Sequence, residues 1–491
     1  MVLVLEIVVR GPVSSKLPRS FSSWVDVAGS RSRPRKRRTL HAEEQQIRTR
    51  GSSSLPKAIF SRTFVSSRGI EPDSPVMIAG LIICVLIGYY LLDTVALFLN
   101  LRYLKEEVPP DFAGIYDSSD YRRSQQYTRA KAYLEIVSST IMLVALLLFW
   151  GLNGFERLDL WLRGFGWHPF WTGMVYIAIL AAARELLELS LELYRTFVVE
   201  ARFGFNRTSW QTFALDHLKN WAIGGAIMFG FLAIVLGLLQ AFGIQVWPVA
   251  WLVTAAISIL LTYLAPTIIL PLFFKFQPLP PGELRDAVTN YCRDQNFSLR
   301  DLLVIDGSRR SSKANAFFTG FGQNKRVALY DTLINNHPVP ELLAVLAHEV
   351  GHFKKKHVLQ QFIIAQVSLF LAFWLASFCL TWPALFATFG VTQPSYYVGL
   401  ALFFVLIQPL GIVFGILTYA WSRHHEYEAD RFAAETTGDS SPLAEALIRL
   451  SKDTLHNLTP HPLLVGLRFT HPPVPDRVRA LRALRITANH P

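Results

Sequence analysis

The sequence predicts an all-α polytopic membrane protein of seven spans, with a small mixed α/β segment between the fifth and the sixth. Three observations predict it. Only 17% of the 491 residues are charged, where an ordinary soluble chain carries about a quarter. The mean hydropathy is +0.30. Seven stretches of the chain approach or exceed the length of about 20 apolar residues that a helix needs to cross a hydrocarbon core about 30 Å thick. Chain-wide disorder, a collagen repeat and a disulfide-rich scaffold are excluded by the same composition.

Residues 1–76 come first and hold most of the excess charge. They carry 14 Lys/Arg against 6 Asp/Glu, a net of +8 out of the chain's +12. The run Arg31-Ser-Arg-Pro-Arg-Lys-Arg-Arg38 lies there, and no apolar period is sustained. The segment reads as a disordered basic leader, either processed or foreign to the natural chain. Met77 opens the first long apolar run and would be a natural first residue. The remaining +4 is spread along 415 residues, so no basic surface is gathered for nucleic acid, and no nucleic-acid partner is expected. Cys84, Cys292 and Cys379 stand apart, with neither zinc-ligand spacing nor a disulfide pattern.

The spans fall at about 77–101, 133–153, 170–197, 219–243, 247–274, 360–388 and 396–421. The first five make a membrane region of 77–274, and the last two one of 360–421. Pro266, Pro271 and Pro409 interrupt spans, which neighbouring helices can tolerate. The third span is charged. Glu185, Glu188 and Glu192 share one helical face, and the spacing predicts the ion pairs Arg184–Glu188 and Glu192–Arg195. A charge at the bilayer centre costs at least about 2.5–3.5 kcal/mol. This face should therefore look into the bundle or a wet cavity. Loop charge sets the orientation: the 102–132 loop carries six Lys/Arg, and the 244–246 and 389–395 loops carry none. The positive-inside rule makes the side of the 102–132 loop, the 275–359 segment and the C-terminus cytosolic.

Two soluble pieces remain, 275–359 and 422–491. In the first, residues 284–295 read as helix and Leu302 to Asp306 as a strand. Ser311 to Gly320 and Lys325 to Tyr330 read as a hairpin turning at Gly322-Gln-Asn324. An amphipathic helix over 341–357 is expected to run on into the sixth span. The second piece reads as helical.

Within the amphipathic helix lies Ala347-His348-Glu349-Val350-Gly351-His352. Histidines four apart project from one helical face and can hold one Zn²⁺ through imidazole nitrogens. Glu349 beside them can take a proton from a water that the metal acidifies. A catalytic zinc site needs a third protein ligand and one open position. Ser422-Arg-His-His-Glu-Tyr-Glu-Ala-Asp-Arg-Phe-Ala433 follows the seventh span, with Glu426 and Asp430 one turn apart. Glu426 is the expected third ligand. Asp430 would accept the second ring N–H of a zinc histidine and fix its orientation. His424 and His425 are the rival ligands. His357, nine residues after His348, is expected at the interface or behind a ligand.

In these motifs the chain resembles the type I CAAX prenyl proteases, integral-membrane zinc endopeptidases. The resemblance also rests on Phe197-Val-Val-Glu-Ala-Arg-Phe-Gly-Phe-Asn206, Asn315-Ala-Phe-Phe-Thr-Gly-Phe-Gly322, Ser422-Arg423 with Glu426-Tyr-Glu-Ala-Asp430, and Thr470-His-Pro-Pro473 followed by Asp476-Arg-Val-Arg-Ala-Leu481. These blocks occur in the family's order over about 77–485. The resemblance implies seven spans around an intramembrane chamber and a zinc-protease domain on the cytosolic side. It implies Zn²⁺, one per chain, on His348, His352 and Glu426, with Glu349 as base and then acid. It implies that His471 orients substrate or stabilises the oxyanion. Asn315, Ala316 and Phe317 would lie on a strand that pairs with an extended substrate. The implied substrates are membrane-associated polypeptides, isoprenylated CAAX-type proteins among them. The alternative is a heat-shock-type protease that clips misfolded membrane proteins, a group with fewer spans. A bacterial inner membrane and an endoplasmic reticulum membrane both fit this reading.

Overall fold

A computed structural model describes residues 74–484, apart from Glu106, Ile115 and 320–324. The basic leader read at 1–76 lies outside the described residues except for its last three. Those three begin the first helix, α1 (Pro75–Tyr103), which starts two residues before Met77. Pro75 sits where a helix has no hydrogen bond to lose, and the Ser74 hydroxyl accepts the Met77 N–H at 3.3 Å.

Six described helical segments are long and apolar enough to cross a membrane. They are α1, α2 (Ser118–Gly151), α5 (Trp210–Phe242), the stretch Ile244–Leu272 that contains α6 (Trp247–Leu264), α10 (His357–Cys379) and α12 (Tyr396–Thr437). The expected third span is the helix α4 (Pro169–Tyr194), which is not among those six. A short amphipathic helix, α3 (Gly154–Arg163), precedes it. Helix α4 packs against α2, α3, α5 and α12, so it belongs to the same bundle. Both predicted ion pairs form on or just beyond it, Arg184–Glu188 at 2.8 Å and Arg195–Glu192 at 2.7 Å. Glu185 accepts the Trp221 indole N–H at 3.1 Å.

The soluble part opens with β1 (Phe276–Pro278), α7 (Glu283–Asp294) and β2 (Leu299–Ile305). The hairpin strands are β3 (Ala316–Thr319) and β4 (Lys325–Tyr330); the turn assigned to Gly322-Gln-Asn324 lies outside the described residues. The sheet order is β1-β2-β4-β3, with β2 and β4 parallel and the outer pairs antiparallel. Strand β3 is therefore an edge. After α8 (Asp331–Asn336) comes α9 (Val339–Lys354), which carries the two motif histidines.

Two helix boundaries differ from expectation. Helix α9 does not run on into the sixth span: Lys356 takes a left-handed backbone with φ +58°, and α10 starts in a new direction at His357. The sixth span itself ends at Cys379, because Pro383 cannot continue a helix and instead opens a short one, α11 (Pro383–Thr388).

Helix α12 is 42 residues long, about 63 Å at 1.5 Å per residue. That is about twice the hydrocarbon thickness, so one helix spans and then continues into the soluble part. Gly438, with φ +77°, ends it. Helices α13 (Ser441–Asp453), α14 (Pro462–Arg468) and α15 (Val474–Ala483) follow. Below the site lies a core that joins sheet and helices, with Ile305, Ala328, Ala347, Val350, Ala433 and Val478 fully buried.

Candidate metal centre

The site forms where α9 crosses α12. Close approach is possible because small residues meet there. A Cβ on Gly351 would stand 3.2 Å from the Ala429 Cα and carbonyl oxygen and 3.0 Å from the Phe432 ring. Ala429 and Ala433 are fully buried on the facing side.

This contact brings together the residues that the spacing singled out. His348 Nε2 and His352 Nε2 are 3.1 Å apart. Glu426 Oε2 lies 3.5 Å from the first and Glu426 Oε1 3.4 Å from the second. All three residues are buried, and they form a group able to hold a metal. Tetrahedral zinc, with bonds of about 2.0–2.1 Å, places its donor atoms about 3.3 Å apart. The two ring nitrogens lie near that distance from each other, and each lies near it from a different oxygen of the Glu426 carboxylate. Glu426 Oε2 accepts no aligned hydrogen bond, although Arg477 Nη1 stands 2.9 Å away. The donor set thus suits a metal bound from both helices.

Asp430, one turn beyond Glu426, has Oδ1 2.8 Å from His348 Nδ1. This is the contact expected of it. Glu349 is buried beside the histidines, and its charge bears on His352 and Arg477. His471 comes from the loop before α15, is one-third exposed, and has Nε2 3.3 Å from Glu426 Oε1. Its Nδ1 lies 2.8 Å from the Thr470 hydroxyl. The rival ligands point elsewhere: His424 is exposed, and His425 turns to Gln360 Oε1 at 3.1 Å.

Arg477 was not singled out by sequence reasoning. It is buried and forks onto Asp430, Nε to Oδ2 at 2.8 Å and Nη2 to Oδ1 at 2.6 Å. Burial alone would lower its pKa, but Asp430 and Glu426 more than offset that and raise it, so the guanidinium stays charged. Its Nη2 is also 3.4 Å from His348 Nδ1. With His348 presenting Nε2 to a metal, both of those atoms are donors, so we read this as proximity only. Arg479 lies two residues on and is exposed; nothing in the sequence distinguishes the two.

The substrate-strand residues lie on and beside the sheet edge. Asn315 directs its carbonyl to the Tyr330 N–H of β4 at 3.0 Å. Backbone groups alternate along a strand, so Ala316 points the other way, and its N–H is held by Asn315 Oδ1 at 2.9 Å. Phe317 pairs in register with Ala328.

Known proteins resemble the chain along both of its parts. Residues 98–275 match the N-terminal region of CAAX prenyl proteases, described as five membrane helices. Residues 278–485 match peptidase family M48. The protein is a membrane metalloprotease. Among curated relatives, the probable CAAX prenyl protease 1 of Schizosaccharomyces pombe is 32% identical over 82% of this chain and 88% of that protein. The CAAX prenyl protease 1 homolog of Homo sapiens is 30% identical over 77% and 89%. The crystal structure of S. mikatae Ste24p superposes with a TM-score of 0.76 at 29% identity, covering 82% of this chain and 98% of that one. The chain belongs to the CAAX prenyl protease 1 family within the M48 peptidases.

Proposed function

We propose that this protein is a one-zinc endopeptidase that cuts CAAX-type, isoprenylated polypeptides at the membrane, with its catalytic side in the cytosol. The convergence of His348, His352 and Glu426 at ligand spacing carries the reading. The relatives' names support the substrate class, and the basic loops beside the soluble part support the orientation. The domain division at 77–274, 275–359, 360–421 and 422–491 belongs to the same proposal.

His348, His352 and Glu426 would hold the metal, and zinc when bound acidifies a water and polarises the scissile carbonyl. Glu349 takes the proton from the attacking water and returns it to the leaving amine. Asp430 accepts the His348 Nδ1–H and holds that ring's Nε2 toward Glu426. His471 offers Nε2–H to the carbonyl oxygen as charge develops there. The open edge of β3 at Ala316 offers backbone groups to an extended substrate, which would displace the Asn315 side chain from the Ala316 N–H.

Glu349→Gln in the detergent-solubilised full chain tests the mechanism. Zinc content should stay at one per chain, while cleavage of an isoprenylated CAAX peptide falls by at least about 100-fold, the lower range for general acid–base catalysis. Undiminished cleavage would refute the assignment. An equal rate on the same peptide without its lipid would refute the substrate class.

A further inference from the structure

His352 is oriented differently from His348, and the difference leads to a pair of residues outside the ligand set. His352 presents Nε2 to Glu426 and His348. Its Nδ1 must then carry the proton, and it faces His357 Nδ1 at 3.1 Å. His357 accepts there, so its own proton sits on Nε2, which lies 3.0 Å from Glu428 Oε2. Each ring's role follows from the one before it.

The backbone makes this contact possible. In a continuous helix, residues five apart point about 140° away from each other. Lys356, a non-glycine residue in the left-handed region, ends α9 and turns His357 back toward His352. Such backbone positions persist only where the surroundings demand them. The His357 ring is fully buried and stacked on His425, with centroids 3.9 Å apart and planes 7° apart. His425 is in turn tied to Gln360.

His357, His425 and Glu428 also lie close enough together to suggest a second metal site. The stacking argues against it. Imidazole lone pairs lie in the ring plane, and nearly parallel rings stacked with centroids 3.9 Å apart do not converge on one ion.

We propose that His357 and Glu428 are positioning residues that relay a hydrogen bond to His352 and hold it in its Nε2-ligating tautomer. The relay is the indirect counterpart of Asp430 behind His348. It rests on the reading of His352 as a zinc ligand. Its effect is on metal retention, because partners behind a zinc histidine are worth about 10–100-fold in metal affinity or activity.

The test is zinc competition against a fluorescent chelator on the detergent-solubilised full chain. His357→Leu should lower zinc affinity about 10–100-fold. His357→Asn, whose side-chain oxygen can still accept from His352 Nδ1, should recover part of that loss. Glu428→Ala, at a site where the side chain is 40% exposed, should lower affinity by several-fold to about 10-fold. At saturating zinc, all three should keep the wild-type KM for peptide. Wild-type affinity in His357→Leu would overturn the relay, as would equal losses in the Leu and Asn variants, which indicate packing alone. Two zinc ions per wild-type chain, falling to one in His357→Leu, would replace it with the second metal site. A wild-type chain that binds no zinc would instead defeat the ligand assignment beneath it.

Discussion

Glu426 is surrounded by cationic and imidazole groups, so its loss and the loss of His425 should differ in kind. Glu426→Ala should strip zinc from the purified protein, measured by metal analysis. His425→Ala should retain zinc, because that ring faces Gln360. The reverse result would reassign the third ligand. Cys292 gives a pH-dependent prediction. Burial pushes its thiol up to about 11 from 9.0, so the folded state favours the protonated form. The stability that this contributes is complete below the unfolded pKa and is lost as pH rises from about 9 to about 11. In a background carrying Cys84→Ser and Cys379→Ser, alkylation at pH 8 should be slow in the folded protein and fast after denaturation. Fast alkylation of the folded protein would show that the thiol is not buried. His348, His352 and Glu426 were legible in the sequence because ligand spacing is local. Arg477 was not, because its burial depends on how α15 docks against α12.

Helices α9 and α12 make the site by crossing closely, and Gly351 marks the contact. Gly351→Ala would force a Cβ against the Ala429 backbone. It should cost about 1–3 kcal/mol in thermal or urea unfolding, as overpacking does, and should lower zinc affinity by separating Glu426 from the histidines. An unchanged melting curve and unchanged zinc binding would mean that the helices have room to spare. Most elements could be read from the chain because an apolar run of span length has few alternatives. The break at Lys356 could not: a lysine carries no signal for a left-handed turn, and the contacts of His357 with His352, His425 and Glu428 that accompany it are made in the folded chain. The edge position of β3 likewise follows from sheet order, which pairs β4 with β2 across a crossover.

At the scale of the whole molecule, the membrane bundle and the sheet are joined by a buried ion pair. Arg310, six residues before β3, grips Asp216 of α5 through Nε and Nη2 at 2.7 and 2.9 Å, and its guanidinium lies over Phe274. Both side chains are 4% exposed. Arg310→Met should therefore destabilise by about 3–5 kcal/mol, since Asp216 is left buried and unpaired. Adding Asp216→Leu should recover much of the loss, because apolar replacement of such a pair is often neutral. Thermal unfolding of the single and double variants measures both, and an unaffected single variant would show that the junction does not depend on the pair. Helix α12 has a consequence of another kind. Glu426 stands five residues past Trp421, the end of the apolar stretch, a rise of about 8 Å. An extended peptide covers that height in about two or three residues, at about 3.3–3.6 Å each. One continuous helix thus carries both the apolar stretch and Glu426, so the distance between them is set by the helix rise.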